Sequence, residues 1–116
     1  MDKIIIRDLL VRCIIGVTPE ERREKQDVLI SVALSADLAP AGKSDRVEDA
    51  INYRPLKKRI LALAEQSECH LVEALAERVA AECLEDRRIR EVQVSVEKPS
   101  ALRFARTVGV EIVRQR

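Results

Sequence analysis

Four stretches of this chain carry the pattern of strands and two the pattern of helices, and their order leaves few ways to fold. The clearest is 91–98, in which Val92, Val94 and Val96 face one way and Glu91, Gln93, Ser95 and Glu97 the other. Period-two alternation marks a strand with one buried face. Residues 107–114 repeat it, with Val108, Val110 and Ile112 inward, and so does Val28–Ser35. Residues 4–15 are dense in β-branched side chains and predict a strand that stops at Gly16, with apolar residues on both faces. Pro40, Gly42, Ser44 and Asp45 mark a break. Asn52 is a good helix cap, Pro55 is tolerated in a first turn, and Leu56, Ile60 and Leu63 follow at helical spacing, which predicts a helix over Tyr53–Gln66. A second helix begins near Leu71, with His70 as its cap and Leu75, Val79 and Cys83 on one face.

The order β-β-α-α-β-β predicts an α+β domain over 1–116, a four-stranded antiparallel sheet with two helices covering one face. At 116 residues one domain buries roughly two-thirds of its unfolded surface. The other face and both edges stay bare, and the first strand has apolar residues on both sides. Side-by-side closure into a barrel hides them, so a homo-oligomer is expected. A charged fraction of 35% with a net charge of +1 describes a soluble protein without a nucleic-acid or anionic-membrane partner. No apolar run approaches the ~20 residues of a membrane span, and the N-terminus has no signal-peptide pattern, so a cytoplasmic location is expected. Cys13, Cys69 and Cys83 lack a CxxC pair and read as reduced small hydrophobes; with His70 the sole histidine, no metal site is expected.

Rings make up 2% of the chain, as Tyr53 and Phe104, so the core is built from Leu, Ile, Val and Ala. Phe104 is a candidate plug for its loop. A few polar side chains then stand out at element ends, and each has two readings. Glu21 completes a capping box begun by Thr18-Pro19, or it takes part in chemistry. Glu73, in a first helical turn, gains ~0.3–1 kcal/mol from the helix dipole, or it accepts two parallel N–H bonds from a planar ligand edge. Tyr53 is an amphipathic anchor or a ligand contact. Lys98 is a solvated edge charge or an acid/base group, and it opens a loop, Pro99 to Arg106, that is long for an antiparallel connection.

Several segments in order resemble the dihydroneopterin aldolase family, which includes dihydroneopterin triphosphate 2′-epimerase. They are Ile15-Gly16-Val17 with Glu21, Gln26-Asp27-Val28, Asp45, Asn52-Tyr53, Leu71-Val72-Glu73 with Leu75-Ala76-Glu77, Lys98-Pro99-Ser100-Ala101, and Val108-Gly109-Val110-Glu111-Ile112-Val113-Arg114. The resemblance implies the tunnelling fold, with four subunits closing a barrel, two rings stacking into an octamer, and active sites between subunits. It implies a pterin substrate and no metal or organic cofactor. Glu73 would hold the 2-amino and N3 edge of the pterin, and backbone amides near Leu71 and Val72 would meet its carbonyl. Tyr53 would stack on the ring, with Ile51 also among the substrate-binding residues. Glu21 and Lys98 would organise a water beside N5, with Lys98, Tyr53 and Glu21 as the catalytic set. The implied activity is the aldolase of tetrahydrofolate biosynthesis, releasing glycolaldehyde and 6-hydroxymethyl-7,8-dihydropterin from 7,8-dihydroneopterin, with possible epimerisation at C2′. Ala50-Ile51-Asn52-Tyr53-Arg54 and Ala101-Leu102-Arg103-Phe104-Ala105 look like the epimerase branch, and the closing segment looks like the aldolases. Arg54, Arg103 and Arg106 read either as a basic rim for a triphosphate or as a solvated one. A ring-forming pterin- or purine-binding subunit without catalysis is the third reading.

Overall fold

Two short helices and a 3₁₀ turn are added to the expected order in the computed structural model, which describes residues 1–116. The elements are β1 (Asp2–Cys13), α1 (Pro19–Arg23), β2 (Gln26–Ala36), α2 (Ala39–Ser44), the 3₁₀ turn Val47–Asp49, α3 (Tyr53–Gln66), α4 (Val72–Cys83), β3 (Glu91–Lys98) and β4 (Val108–Gln115). The strands pair in chain order and all antiparallel, so one rank of inward residues crosses the sheet from Ile4 through Leu34 and Val92. Val28, Ile30, Val32 and Leu34 of β2 and Val92, Val94 and Val96 of β3 are fully buried. They meet Leu56, Ile60 and Ala64 of α3 and Leu75, Val79 and Cys83 of α4 in a single cluster of 22 buried residues without an aromatic ring. Asn52 caps α3 as expected, its side chain accepting from the Arg54 N–H at 3.2 Å. No helix is long and apolar enough to cross a membrane.

β1 departs most from the expected pattern. It ends at Cys13, not at residue 15, because the chain turns away toward Gly16, although Ile15 stays buried. Between Ile6 and Leu9 the register slips by one: Ile6 faces Val32 and Leu9 faces Ile30. Asp8 sits at φ 57 in this bulge, and its N–H donates to Ser31 Oγ at 2.9 Å. The extra residue switches the parity of the strand. Ile4 and Ile6 face the core before it, and Leu9, Val11 and Cys13 after it. The outward residues Ile5 and Leu10, together with Val113 of β4, are about half exposed on the helix-free face.

Three other expectations change. The break at 40–45 holds α2, because Pro40 fits a first turn and Asp45 ends the helix in the left-handed region. His70 does not cap α4: the cap position is Leu71, with no side-chain bond. Phe104 plugs nothing within the chain, standing fully exposed at φ 66.

Gly109 lies opposite Glu97 in the β3–β4 ladder, where an added Cβ would overlap the Val96 carbonyl oxygen. The obstacle is backbone on a central strand and has nowhere to move. Gly109→Ala is therefore expected to destabilise the fold by at least ~2 kcal/mol, read as a lower midpoint in urea unfolding.

Candidate active site

Gly16 is the pivot of the site. It sits at φ 133, and a Cβ there would overlap the Glu21 side chain, so only glycine lets that glutamate fold back over the turn. Glu21 is drawn back by the capping box expected at Thr18. Its own N–H donates to Thr18 Oγ1 at 3.2 Å, and its Oε1 accepts from the N–H groups of Val17 and Thr18 at 3.1 and 3.2 Å. Oε2 remains, and it accepts from Lys98 Nζ at 2.6 Å. The two readings of Glu21 are thus one arrangement: the capping box aims the carboxylate at the lysine. Both side chains are sheltered, at 25% and 13% exposure. The bond from Lys98, helped by the Thr18 and Val17 N–H groups, lowers the Glu21 carboxyl from its usual 4.5 to about 2. Lys98 itself is delivered by the end of β3, opposite Val108. The Thr107 hydroxyl donates to Glu97 at 2.7 Å and pins the base of the loop between the strands.

The link between α3 and α4 is tied to the same turn. The Gly16 N–H donates to the Cys69 carbonyl at 3.3 Å. The Arg22 guanidinium donates to the carbonyls of Gly16, Cys69 and Glu68 at 3.2, 3.1 and 2.9 Å. This brings Leu71, Val72 and Glu73 to the neighbourhood of the Glu21–Lys98 pair. With no side-chain cap on α4, the N–H groups of Val72 and Glu73 are unpaired, while the Leu71 carbonyl accepts from Ala74 and Leu75. Glu73 is exposed in the first turn, and none of the chain's ion pairs involves it. Two open donors and a free carboxylate therefore follow directly on the link that is tied to the turn of the sheltered ammonium–carboxylate pair.

Tyr53 is not in that group. It starts α3, whereas Cys69 follows the end of α3, and a 14-residue helix is about 20 Å long. Half exposed, it lines a cavity of about 580 Å³ with Ile4, Ile5, Ile6, Arg54 and Lys57 along the free edge of β1. Ile51, two residues earlier, is buried in the core cluster at the same end. The three arginines do not make one rim within the chain: Arg54 is beside Tyr53, whereas Arg103 and Arg106 lie in the loop after Lys98, with Arg106 3.9 Å from Glu97. Sequence reasoning missed Arg22, which looked like one more member of the charge run from Glu20 to Lys25. A long cation directly after a capping glutamate was the available signal.

Comparison with known proteins places the chain in a family. The dihydroneopterin aldolase family model matches residues 4–113. A folic acid synthesis protein of Dictyostelium discoideum is 46% identical over 114 residues, covering 98% of this chain and 17% of that much longer protein. The dihydroneopterin triphosphate 2′-epimerase of Pseudomonas aeruginosa is 34% identical over 116 residues, covering 100% of this chain and 94% of the relative. A crystal structure of Escherichia coli dihydroneopterin aldolase in complex with neopterin superimposes with a TM-score of 0.93 at 32% identity, covering 98% of this chain and 99% of the other. By the matched span, the shared tunnelling fold and this identity across the full length, the chain belongs to the dihydroneopterin aldolase family.

Proposed function

We propose that this chain is the dihydroneopterin aldolase of folate synthesis, cleaving 7,8-dihydroneopterin at a site shared between two copies of itself. The observation that carries the reading is the Glu21–Lys98 pair at 2.6 Å, on a turn that Arg22 ties to the link opening the uncapped α4. The pterin amide edge carries an N–H, an amino group and a carbonyl. Glu73 accepts the first two as parallel bonds, and the free N–H groups of Val72 and Glu73 beside Leu71 meet the carbonyl. The ring's far side then faces Lys98 and Glu21. A C=N bond within the dihydropterin serves as the electron sink, so no Schiff base to lysine is required. Removal of the C2′ hydroxyl proton, through Tyr53 and water, breaks the C1′–C2′ bond and releases glycolaldehyde. The bonding pair moves into C6=C1′, with N5 protonated from Lys98 through water. Protonation at C1′ and loss of the N5 proton give 6-hydroxymethyl-7,8-dihydropterin.

Two features support assembly. The outer edges of β1 and β4 are unpaired, with Ile5, Leu10 and Val113 exposed near them. Tyr53 lies along that β1 edge, a helix length from Lys98, so a neighbour pairing β4 with β1 brings a second chain's Tyr53 within reach. A ring of four, doubled to eight, is the proposed assembly. The epimerase reading has its own support in the basic residues Arg54 and Lys57 flanking Tyr53, which suit a phosphorylated side chain.

Incubation with 7,8-dihydroneopterin and, separately, its triphosphate decides between them. Glycolaldehyde release is expected; a C2′ stereoisomer of the triphosphate as sole product would transfer the chain to the epimerase branch. Lys98→Ala is expected to lower kcat by ~10²-fold or more with ligand affinity kept, whereas Glu73→Ala weakens neopterin binding severely. The reverse pattern would overturn these roles. Subunit sharing has a sharper test. Tyr53→Phe and Lys98→Met, each inactive alone, are expected on co-refolding at equal amounts to regain about a quarter of wild-type activity, because random mixing leaves that share of sites intact; no recovery would place each site within one chain.

Acid stability follows from Glu21. Its carboxyl is lowered in the folded state, so its stabilising contribution is complete above the usual value of 4.5 and is lost as pH falls toward about 2. Lys98→Met removes the main cause, and the stability lost between those pH values is expected to shrink in acid titrations followed by circular dichroism.

A further inference from the structure

Arg22 follows Glu21 directly, yet it takes no part in the acid/base pair. Its guanidinium is partly buried and donates to three carbonyl oxygens from two separate segments: Gly16 in the turn, and Glu68 and Cys69 in the link before α4. None of the chain's ion pairs includes it. A rigid planar fork with its donors on neutral carbonyls fixes geometry and leaves the local carboxylates unpaired with it. Apart from the fork, one backbone hydrogen bond ties the turn to the link, Gly16 N–H to the Cys69 carbonyl at 3.3 Å, with Ile15 and Cys69 packed in the core beside it.

What lies on each side of that tie gives the contact its meaning. The turn side holds the Glu21 carboxylate, which in turn orients Lys98. The link side leads within two residues of Cys69 to Leu71, and so to the free N–H groups and carboxylate of α4. We propose that Arg22 is the positioning residue that sets the distance between the proton-transfer pair and the ligand-gripping end of α4. The inference rests on the reading of the site given under Proposed function. A displacement of ~1 Å between binding and reacting groups is enough to lower turnover by ~10²-fold, so a tie of this kind reaches the chemistry without touching substrate.

The test uses the full chain with Arg22→Met, which keeps length and loses every donor, and Arg22→Lys, which keeps one donor group and loses the fork. In Arg22→Met the Glu21 titration, followed by carboxyl ¹³C NMR, is expected to stay well below the usual carboxylate range, because Lys98, Thr18 and Val17 hold that carboxylate without the arginine. With 7,8-dihydroneopterin, kcat is expected to fall and KM to rise together, for a loss of ~10²-fold in kcat/KM, with Arg22→Lys intermediate. Adding Arg22→Met to Glu73→Ala is expected to raise KM little further, since the arginine acts by placing the end of α4 that carries Glu73. Unchanged kcat and KM, a Glu21 titration that moves up in Arg22→Met, or losses that simply add in the double variant, would overturn the proposal, whatever happens to the melting temperature. Should Arg22→Met fail to fold, Arg22→Lys carries the same readouts. A wild-type chain that fails to turn over dihydroneopterin defeats the functional reading alone, because neopterin binding by Arg22→Met against the wild-type chain, measured without turnover, still decides the role of Arg22.

Discussion

One carboxylate oxygen of Glu21 serves a helix start and the other serves a lysine 77 residues away, and the architecture of the site follows from that division. The capping box is a local device, satisfied by Thr18, Val17 and the glutamate's own backbone. It holds the side chain in the one rotamer that leaves Oε2 facing the end of β3. The glutamate thereby reaches Lys98 with its conformational freedom already spent on the cap, so the ion pair loses less entropy than a free surface pair would. All of this requires Gly16, because any side chain there would occupy the volume that Glu21 fills. Backbone conformation, helix capping and electrostatics are consequently a single unit.

The scaffold that presents this unit is an aliphatic layer. Valines on β2 and β3 interlock with leucines and alanines of α3 and α4, and the two rings of the chain stand outside that layer. The helix-free face is lined instead by small polar and charged groups, with Ser31, Ser95 and Glu111 in one rank across three strands. Its most exposed apolar residues, Ile5, Leu10 and Val113, belong to the two edge strands, while Leu29 and Ala33 of β2 lie between them, partly covered. A sheet with a dry face, a polar face and sticky margins suits lateral association far better than stacking face to face.

Most of the fold was legible because alternation and helical spacing are strong in β2, β3, β4, α3 and α4. β1 was the hard case: the bulge at Asp8 changes the parity in mid-strand and breaks the inward alternation, and Ile5 and Leu10 put an apolar residue on the outward face of each half as well. α2 was hidden because Pro40 and Gly42 punctuate loops more often than short helices. The candidate site was named as a set of residues through family likeness, but its geometry was not legible. Local sequence says nothing of a bond between positions 21 and 98, and it made capping and pairing look like rival readings of Glu21. Arg22 was invisible for a related reason, since its partners are carbonyls, which carry no side-chain signature. His70 was misplaced as a cap because the cap position falls one residue later, at Leu71, with no side-chain cap to recognise.

The placement of the lone tyrosine has an optical consequence. With no tryptophan in the chain, emission excited beyond the phenylalanine band comes from position 53 alone, half exposed at the margin of the sheet and away from the aliphatic interior. A neighbouring subunit covering that ring would change the emission with no other protein fluorophore to subtract. The molecule carries a built-in fluorescent reporter at the seam where two copies are proposed to meet.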